Sequence, residues 1–258
     1  FAIGLGDGAV SIPGINTTAI VEGIIAHCEA NRRIGLIGVD FTEDTLETAT
    51  ALAAAYDSEY IGIFGPYVQV SDGGGGVRSI APDGFVAACR ARAHLIGPWR
   101  VPAGLIGKGN TIADVAPIST ESLNVLDQGK VSVIRKFQTS IRLYGWRSAS
   151  NDTDNYAYLK DRDLLNRLVN EAESRLEDYV FDPIDAKGQL LSAINAELVG
   201  MIDPIAQAGG LFPFIDDIGQ EIDPGYKVET GSDLNPRASL AQNRITARLS
   251  VRVAPTGD

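Results

Sequence analysis

Short apolar runs alternate with amphipathic helical segments over the first third of this 258-residue chain. The run Ile34–Val39 contains no polar residue, which is typical of a strand that is covered on both faces. A helical stripe precedes this run, and an Ala- and Leu-rich helix over 43–56 follows it. Two further strands are predicted at 60–64 and 67–70. This β–α–β–α–β order predicts an α/β core, a mixed sheet flanked by helices.

The second half of the chain has a different pattern. Two amphipathic helices are predicted over 164–180 and 190–202, and a loop rich in Gly, Pro and Asp follows them. The stretch 243–253 then alternates strictly between apolar and polar residues and predicts a strand. We therefore expect a C-terminal α+β domain after the core, with one domain over 1–120 and the other over 121–258.

Arginines lie among apolar and aromatic residues in the segment 129–148. The segment is predicted to form two short strands separated by a polar turn, and it contains Arg135, Arg142 and Arg147. One interpretation is a hairpin with a solvated basic face. The other is a protein–protein contact, because Arg and aromatic side chains are favoured anchors at interfaces.

Composition excludes several classes of function. The formal net charge of −11 argues against a general nucleic-acid binder, since no basic excess is present to neutralise phosphates. No apolar run is long enough to predict membrane insertion. Cys28 and Cys89 lie in apolar helical contexts without a CxxC partner, so we expect buried reduced thiols.

Two glycine-rich segments only partly match nucleotide-binding motifs. The segment 4–8 lacks the third glycine of a dinucleotide fingerprint, and no Ser or Thr follows Lys108 in the segment 104–109. The four-glycine stretch 73–76 predicts a flexible loop. An α/β nucleotide-binding domain or enzyme that uses these turns is our alternative hypothesis for the function.

No catalytic or metal-binding set stands out among the titratable residues. His27 and His94 are far apart and have no partner motif. Asp161 and Asp163 are expected to cap a helix, and the segment 152–155 lacks the glycine and distal Glu of a calcium loop. We therefore predict a protein that is not an enzyme and that has no cofactor and no metal.

Several segments, in order along the chain, resemble motifs of the tail sheath proteins of contractile phages and related contractile injection systems. They are Ser11–Gly14, Gly65–Val70, Ala81–Ala87, Trp99–Gly104, Leu123–Asn124, Val131–Arg135, Ile141–Ser148, Tyr158–Leu165 and Val180–Asp185. The chain departs from the family pattern at Ser132, Asp163 and Ile184.

The resemblance implies a structural subunit that polymerises helically around an inner tube and contracts to drive the tube through a target envelope. Implied partners are further copies of the chain, joined by strand addition through terminal arms, the inner tube protein, and baseplate and tail terminator proteins. The implied location is the tail sheath of a virion, assembled in the cytoplasm of the host bacterium. Since the sequence starts at Phe1 in an apparent strand and stops after 255–258, we expect the arms to be missing.

The candidate subunit interface is the last predicted strand, together with the strands over 131–147. A free edge of such a strand can accept a strand from a neighbour. Its arginine face is equally consistent with simple solvation. The candidate residues are Arg244, Ile245, Arg248, Leu249, Arg252 and Val253.

Overall fold

A computed structural model describes residues 7–185 and 187–256 of the chain. The chain divides into two compact units between Asn166 and Arg167. The predicted boundary between residues 120 and 121 lies earlier. The two differ because the strands that follow residue 130 pair with the sheet of the first unit and are integral to it.

The described part of the first unit, from residue 7 onward, contains nine strands and the start of a long helix that continues beyond the division. In chain order its elements are β1 (Ala9–Val10), α1 (Thr18–Asn31), β2 (Ile34–Gly38), α2 (Leu46–Ala54), β3 (Ile61–Gly65), β4 (Val68–Ser71), β5 (Val77–Ile80), α3 (Asp83–His94), β6 (Lys108–Gly109), β7 (Ile112–Val115), α4 (Thr120–Gln128), β8 (Val131–Phe137), β9 (Ser140–Tyr144), α5 (Thr153–Tyr156) and α6 (Leu159–Leu176).

Six of these strands form a mixed sheet in the order β1-β2-β3-β8-β9-β6. The pairs from β1 to β8 are parallel, and β8–β9 and β9–β6 are antiparallel. Strands β4, β5 and β7 form a separate antiparallel sheet in the order β5-β4-β7. The predicted α/β core with a mixed sheet is therefore confirmed.

Helices cover both faces of the mixed sheet. Helices α1, α2 and α4 pack on one face through residues such as Val21, Ala53 and Leu126. Helix α3 covers the other face, where Phe64 and Trp146 contact each other with ring centroids 4.9 Å apart. Every residue of β2 and β3 is buried, as expected for strands covered on both sides.

A buried ionic cluster joins α3 to α6. The Arg90 guanidinium donates two hydrogen bonds to the Asp163 carboxylate at 2.8 and 2.7 Å, and His94 Nε2 lies 2.9 Å from Asp163 Oδ2. Asp163 was expected to cap a helix, but α6 begins at Leu159, so Asp163 lies in the second turn and is buried in the unit. Sequence spacing gave no sign of this partner for His94.

The second unit combines helices with two small antiparallel sheets. After α6 its elements are α7 (Gln189–Gln207), β10 (Phe214–Ile215), β11 (Glu221–Asp223), β12 (Tyr226–Glu229), α8 (Arg237–Leu240) and β13 (Arg248–Val251). Strands β10 and β11 pair with each other, and β12 pairs with β13. The predicted C-terminal α+β region is confirmed.

Helix α7 provides the apolar core of the second unit. Its buried side chains recur at helical spacing and are Leu190, Ile194, Leu198, Met201 and Ile202. The helix continues past Pro204 to Gln207, beyond the predicted end at residue 202. A proline removes only one N–H donor, and the last turn still closes through a bond from Ala208 N to the Pro204 carbonyl.

The last strand is shorter than its sequence pattern indicates. The predicted strand 243–253 is a regular strand only over Arg248–Val251, because its partner β12 has four residues and then turns away. Beyond this ladder the buried Asn235 side chain makes the hydrogen bonds to the backbone that a paired strand would otherwise make. Its Nδ2 donates to the Thr246 carbonyl at 2.8 Å, and its Oδ1 accepts from Thr246 N at 2.7 Å.

We expect Asp163→Asn to weaken the first unit and to flatten its acid dependence. Burial raises the pKa of Asp163, but hydrogen bonds and charge from His94 and Arg90 outweigh it, so the pKa is lowered overall. A carboxylate whose pKa is lowered in the folded state stabilises the fold at pH values above its unfolded pKa of about 4. This stabilisation is lost as the pH falls below that value and through the folded-state pKa. At pH 7 the loss should be about 3–5 kcal/mol, because Arg90 and His94 are largely buried and lose the carboxylate that both are hydrogen-bonded to.

Urea unfolding at pH 7 and at pH 3, followed by circular dichroism, measures this effect. The difference in free energy of unfolding between wild type and Asp163→Asn should shrink at the lower pH. Asp233→Asn, at an exposed position, is the matched control and should track the wild type at both pH values. An equal difference at pH 7 and pH 3 would contradict the assignment.

We expect Asn235→Leu to destabilise the second unit by about 1–3 kcal/mol, since it leaves backbone groups of Thr246 and Thr230 without partners. Thr246→Val is the control, because it changes an exposed side chain and keeps the same backbone bonds. Urea titration of both variants at pH 7 checks the expectation, which fails if the two variants are equally stable.

Candidate subunit interface

Strand β13 has one paired edge and one open edge. In the β12–β13 ladder Lys227 is opposite Ser250, and Arg252 N donates to the Gly225 carbonyl at 2.7 Å. Backbone groups of successive strand residues point to opposite edges, so those of Leu249 and Val251 point away from β12. The sheet has only these two strands within the described residues. The outer edge of β13 therefore presents unpaired N–H and C=O groups.

The outer edge of β12 is less accessible. Helix α7 packs beside this strand, and Asn195 Nδ2 lies 3.5 Å from the Val228 carbonyl oxygen and from Thr230 Oγ1. An incoming strand would have to displace the Asn195 side chain. The geometry thus favours β13 as the edge that accepts a further strand.

The six candidate residues lie on or beside this edge strand. The three arginines are exposed, and the three apolar residues Ile245, Leu249 and Val253 are half-buried, so the predicted alternation of faces is present. Arg252 is held by Asp223 at 3.1 Å and by the Phe212 carbonyl at 3.1 Å. Val253 forms an isolated bridge with Leu211.

Strand addition would use backbone groups, whereas the six candidates were selected by their side chains. The groups that such a contact uses are the backbone N–H and C=O of Leu249 and Val251, and Val251 was not among the candidates. Which backbone groups are free depends on the register with β12. The four residues of β12 lie in a stretch that the sequence indicated only as a loop.

The half-buried face of this segment borders an apolar cavity. The cavity has a volume of about 740 Å³, and its lining includes Leu176, Pro183, Leu190, Ile245 and Ala247. Phe181 lies at its rim and is fully exposed. The segment that leads into β13 thus forms part of the wall of this cavity.

The three arginines of the segment 129–148 have different surroundings. Arg147 donates two hydrogen bonds to Asp127 at 2.7 and 2.5 Å and lies over the Tyr158 ring, so its role in the first unit is structural. Arg135 and Arg142 are direct cross-strand neighbours in β8 and β9. These strands belong to the mixed sheet of the first unit.

The glycine-rich turns are poorly arranged to hold a phosphate. In the turn between β4 and β5, the N–H groups of Gly74 and Gly76 donate to the Asp72 carboxylate at 2.7 and 2.9 Å. Lys108 and Gly109 form β6 and pair with β9, whereas a phosphate loop leads into a helix. Gly4 and Gly6 lie outside the described residues.

Other predicted features concern metals, thiols and membranes. Across residues 7–185 and 187–256, no group of three His, Cys, Asp or Glu side chains is placed to hold a metal ion. Cys28 and Cys89 are buried free thiols, as predicted, and burial raises the pKa of Cys28 to about 12. No helix within the same ranges has the length and apolar character needed to cross a membrane.

Solved structures with a similar fold come from contractile injection systems. A chain of the anti-feeding prophage baseplate has a TM-score of 0.79 and 19% identity, over 97% of this chain and 66% of that one. A chain of the PVC sheath complex in the contracted state has a TM-score of 0.77 and 16% identity, over 96% and 67%. The helical sheath of the anti-feeding prophage in the contracted state gives 0.75 and 18%, over 97% and 67%.

No protein-family model and no curated protein sequence matches the chain. The chain spans about two thirds of the length of the structures that it resembles. At identities below one fifth, the similarity concerns the fold, and it extends over almost all of this chain. The chain therefore has the fold of the sheath proteins of contractile injection systems.

Proposed function

We propose that this chain is a structural subunit of a contractile sheath, which polymerises helically around an inner tube and contracts to drive the tube through a target envelope. The observation that carries the proposal is the open edge of β13 in a chain with a sheath fold. An open edge with unpaired N–H and C=O groups is a template for another strand.

Strand addition accounts for polymerisation without a closed ring. A terminal arm from one copy would pair with the Leu249–Val251 edge of the next copy, and the exposed Arg244 and Arg248 would form a polar rim beside it. Donor and acceptor surfaces differ in such a contact. Repetition of a contact between different surfaces generates a helix of subunits when the rotation does not close.

The proposed role requires no bound nucleotide. Two of the three similar structures are sheaths in a contracted state, which supports a change of packing between copies as the working step. The N–H groups of Gly74 and Gly76 in the glycine turn already donate to the Asp72 carboxylate. These observations favour a structural protein over a nucleotide-binding enzyme.

Further partners follow from the same proposal. One similar structure is a chain of a baseplate, which supports contact with baseplate proteins at one end of the sheath. An inner tube protein would lie within the helix, and a terminator protein at its far end. The location would be the tail sheath of a virion or related particle, assembled in the cytoplasm of the host bacterium.

Electron microscopy of the purified full-length protein tests the proposal directly. Long tubes or polysheaths are the expected result. A protein that stays strictly monomeric and shows saturable nucleotide binding would overturn the structural role in favour of the alternative.

We expect Val251→Pro to abolish assembly while leaving the subunit folded. Proline removes the outward N–H of residue 251 and keeps the N–H groups that pair with β12. The yield of sedimenting tubes should fall at least about tenfold, since an edge that lacks a donor pairs poorly. Circular dichroism should remain unchanged.

Val251→Thr is the matched control, because it preserves the outward N–H and suits a strand. It should form tubes like the wild type. Normal tube formation by a folded Val251→Pro protein would show that this edge is not the acceptor.

A further inference from the structure

The β10–β11 hairpin exposes a large part of its apolar surface. Phe214, Ile215, Ile218 and Ile222 have exposed fractions of 57%, 53%, 85% and 61%. The two strands pair only with each other among the described residues. An isolated two-stranded hairpin is marginally stable in water, and a clustered exposed apolar surface marks a contact site.

The same hairpin is acidic. The Asp216 carboxylate closes the turn by accepting from Ile218 N and Gln220 N, and Asp223 binds Arg252. Asp217 and Glu221 are exposed and form no ion pair within the described residues. The hairpin therefore offers apolar side chains flanked by two free carboxylates.

A surface of opposite character lies on the first unit. The cationic patch consists of Arg135, Phe137, Arg142 and Tyr144, which share one face of the β8–β9 hairpin. The Arg135 guanidinium lies 5.2 Å from the centre of the Tyr144 ring, and that of Arg142 lies 5.1 Å from the centre of the Phe137 ring. These contacts hold both arginines over aromatic rings.

The arrangement of this patch is costly without a partner. Arg135 and Arg142 are directly opposite each other across the strands, and like charges at such positions are destabilising. Arg142 Nε donates to Ser140 Oγ at 2.8 Å, and neither guanidinium has a carboxylate partner among the described residues. In a chain of net charge −11, two adjacent cations without a carboxylate mark a surface that suits an acidic partner.

We propose that the β10–β11 hairpin of one copy docks on the cationic patch of a second copy. Asp217 and Glu221 would pair with Arg135 and Arg142, and Ile215, which is opposite Glu221 and shares its face of the hairpin, would cover the aromatic rings. The contact joins different surfaces of two copies, so it propagates head to tail. The proposal rests on the proposed function and adds a side-chain contact to the strand addition at β13.

Two charge-reversed variants of the full-length protein test this contact. Variant one is Asp217→Lys with Glu221→Lys, and variant two is Arg135→Glu with Arg142→Glu. Each variant alone brings like charges together at every proposed contact, so each should give less than about a tenth of the wild-type tubes. When the two are mixed in equal amounts, opposite charges face each other again between unlike copies, and tube formation should return.

Rescue by mixing distinguishes a contact between copies from misfolding and from docking within one chain. A misfolded variant cannot be rescued by adding the other variant, and neither can a hairpin that docks on its own chain. Two double variants at exposed sites, Glu22→Lys with Glu47→Lys and Arg78→Glu with Arg100→Glu, are the matched controls. They make the same changes in net charge and should assemble like the wild type.

Sedimentation velocity of the same samples distinguishes failure of this contact from failure of the proposed function. The mixture should form pairs, weaker at higher salt, and neither variant should self-associate. If the mixed variants form pairs but the wild type forms no tubes, the proposed contact is supported and the sheath role is overturned. Tubes from either variant alone would overturn the contact, as would folded variants that fail to associate when mixed.

Discussion

Strands β2, β3 and β8 are covered on both faces, and the other elements of the first unit are arranged to supply that cover. Helices α1, α2 and α4 pack on one face and α3 on the other, and the residues of β2 and β3 are all buried. Since a parallel strand presents apolar residues to both sides, removing either layer would expose it to water. Asp163 and Cys28 are enclosed by this packing.

Two outward features of residues 7–185 and 187–256 are the open edge of a strand and an exposed hairpin. The open edge of β13 presents backbone groups, and the β10–β11 hairpin presents apolar and acidic side chains. Both surfaces lack a partner within the described residues. Free backbone donors and exposed apolar area are both surfaces that another polypeptide can cover.

Prediction from sequence succeeded where a pattern is local. The run Ile34–Val39 predicted a doubly covered strand, and the alternation through residue 253 correctly predicted which side chains are exposed. It failed where a distant partner decides the outcome. The last strand ends at Val251 because β12 is short, and Asn235 completes the ladder from a loop. Likewise nothing near His94 in sequence pointed to Asp163.

The sequence by itself determined the α/β and α+β classes, the buried faces of strands and helices, and the resemblance to sheath proteins. The period of apolar residues carries this information, since it records which side of each element avoids water. The tertiary structure decided where the first unit ends, which edge of β13 is open, and that Arg147 has a carboxylate whereas Arg135 and Arg142 do not. Register and pairing between distant segments set these features. A one-residue shift in register would leave the composition unchanged, but it would turn to the opposite side every residue of the shifted strand.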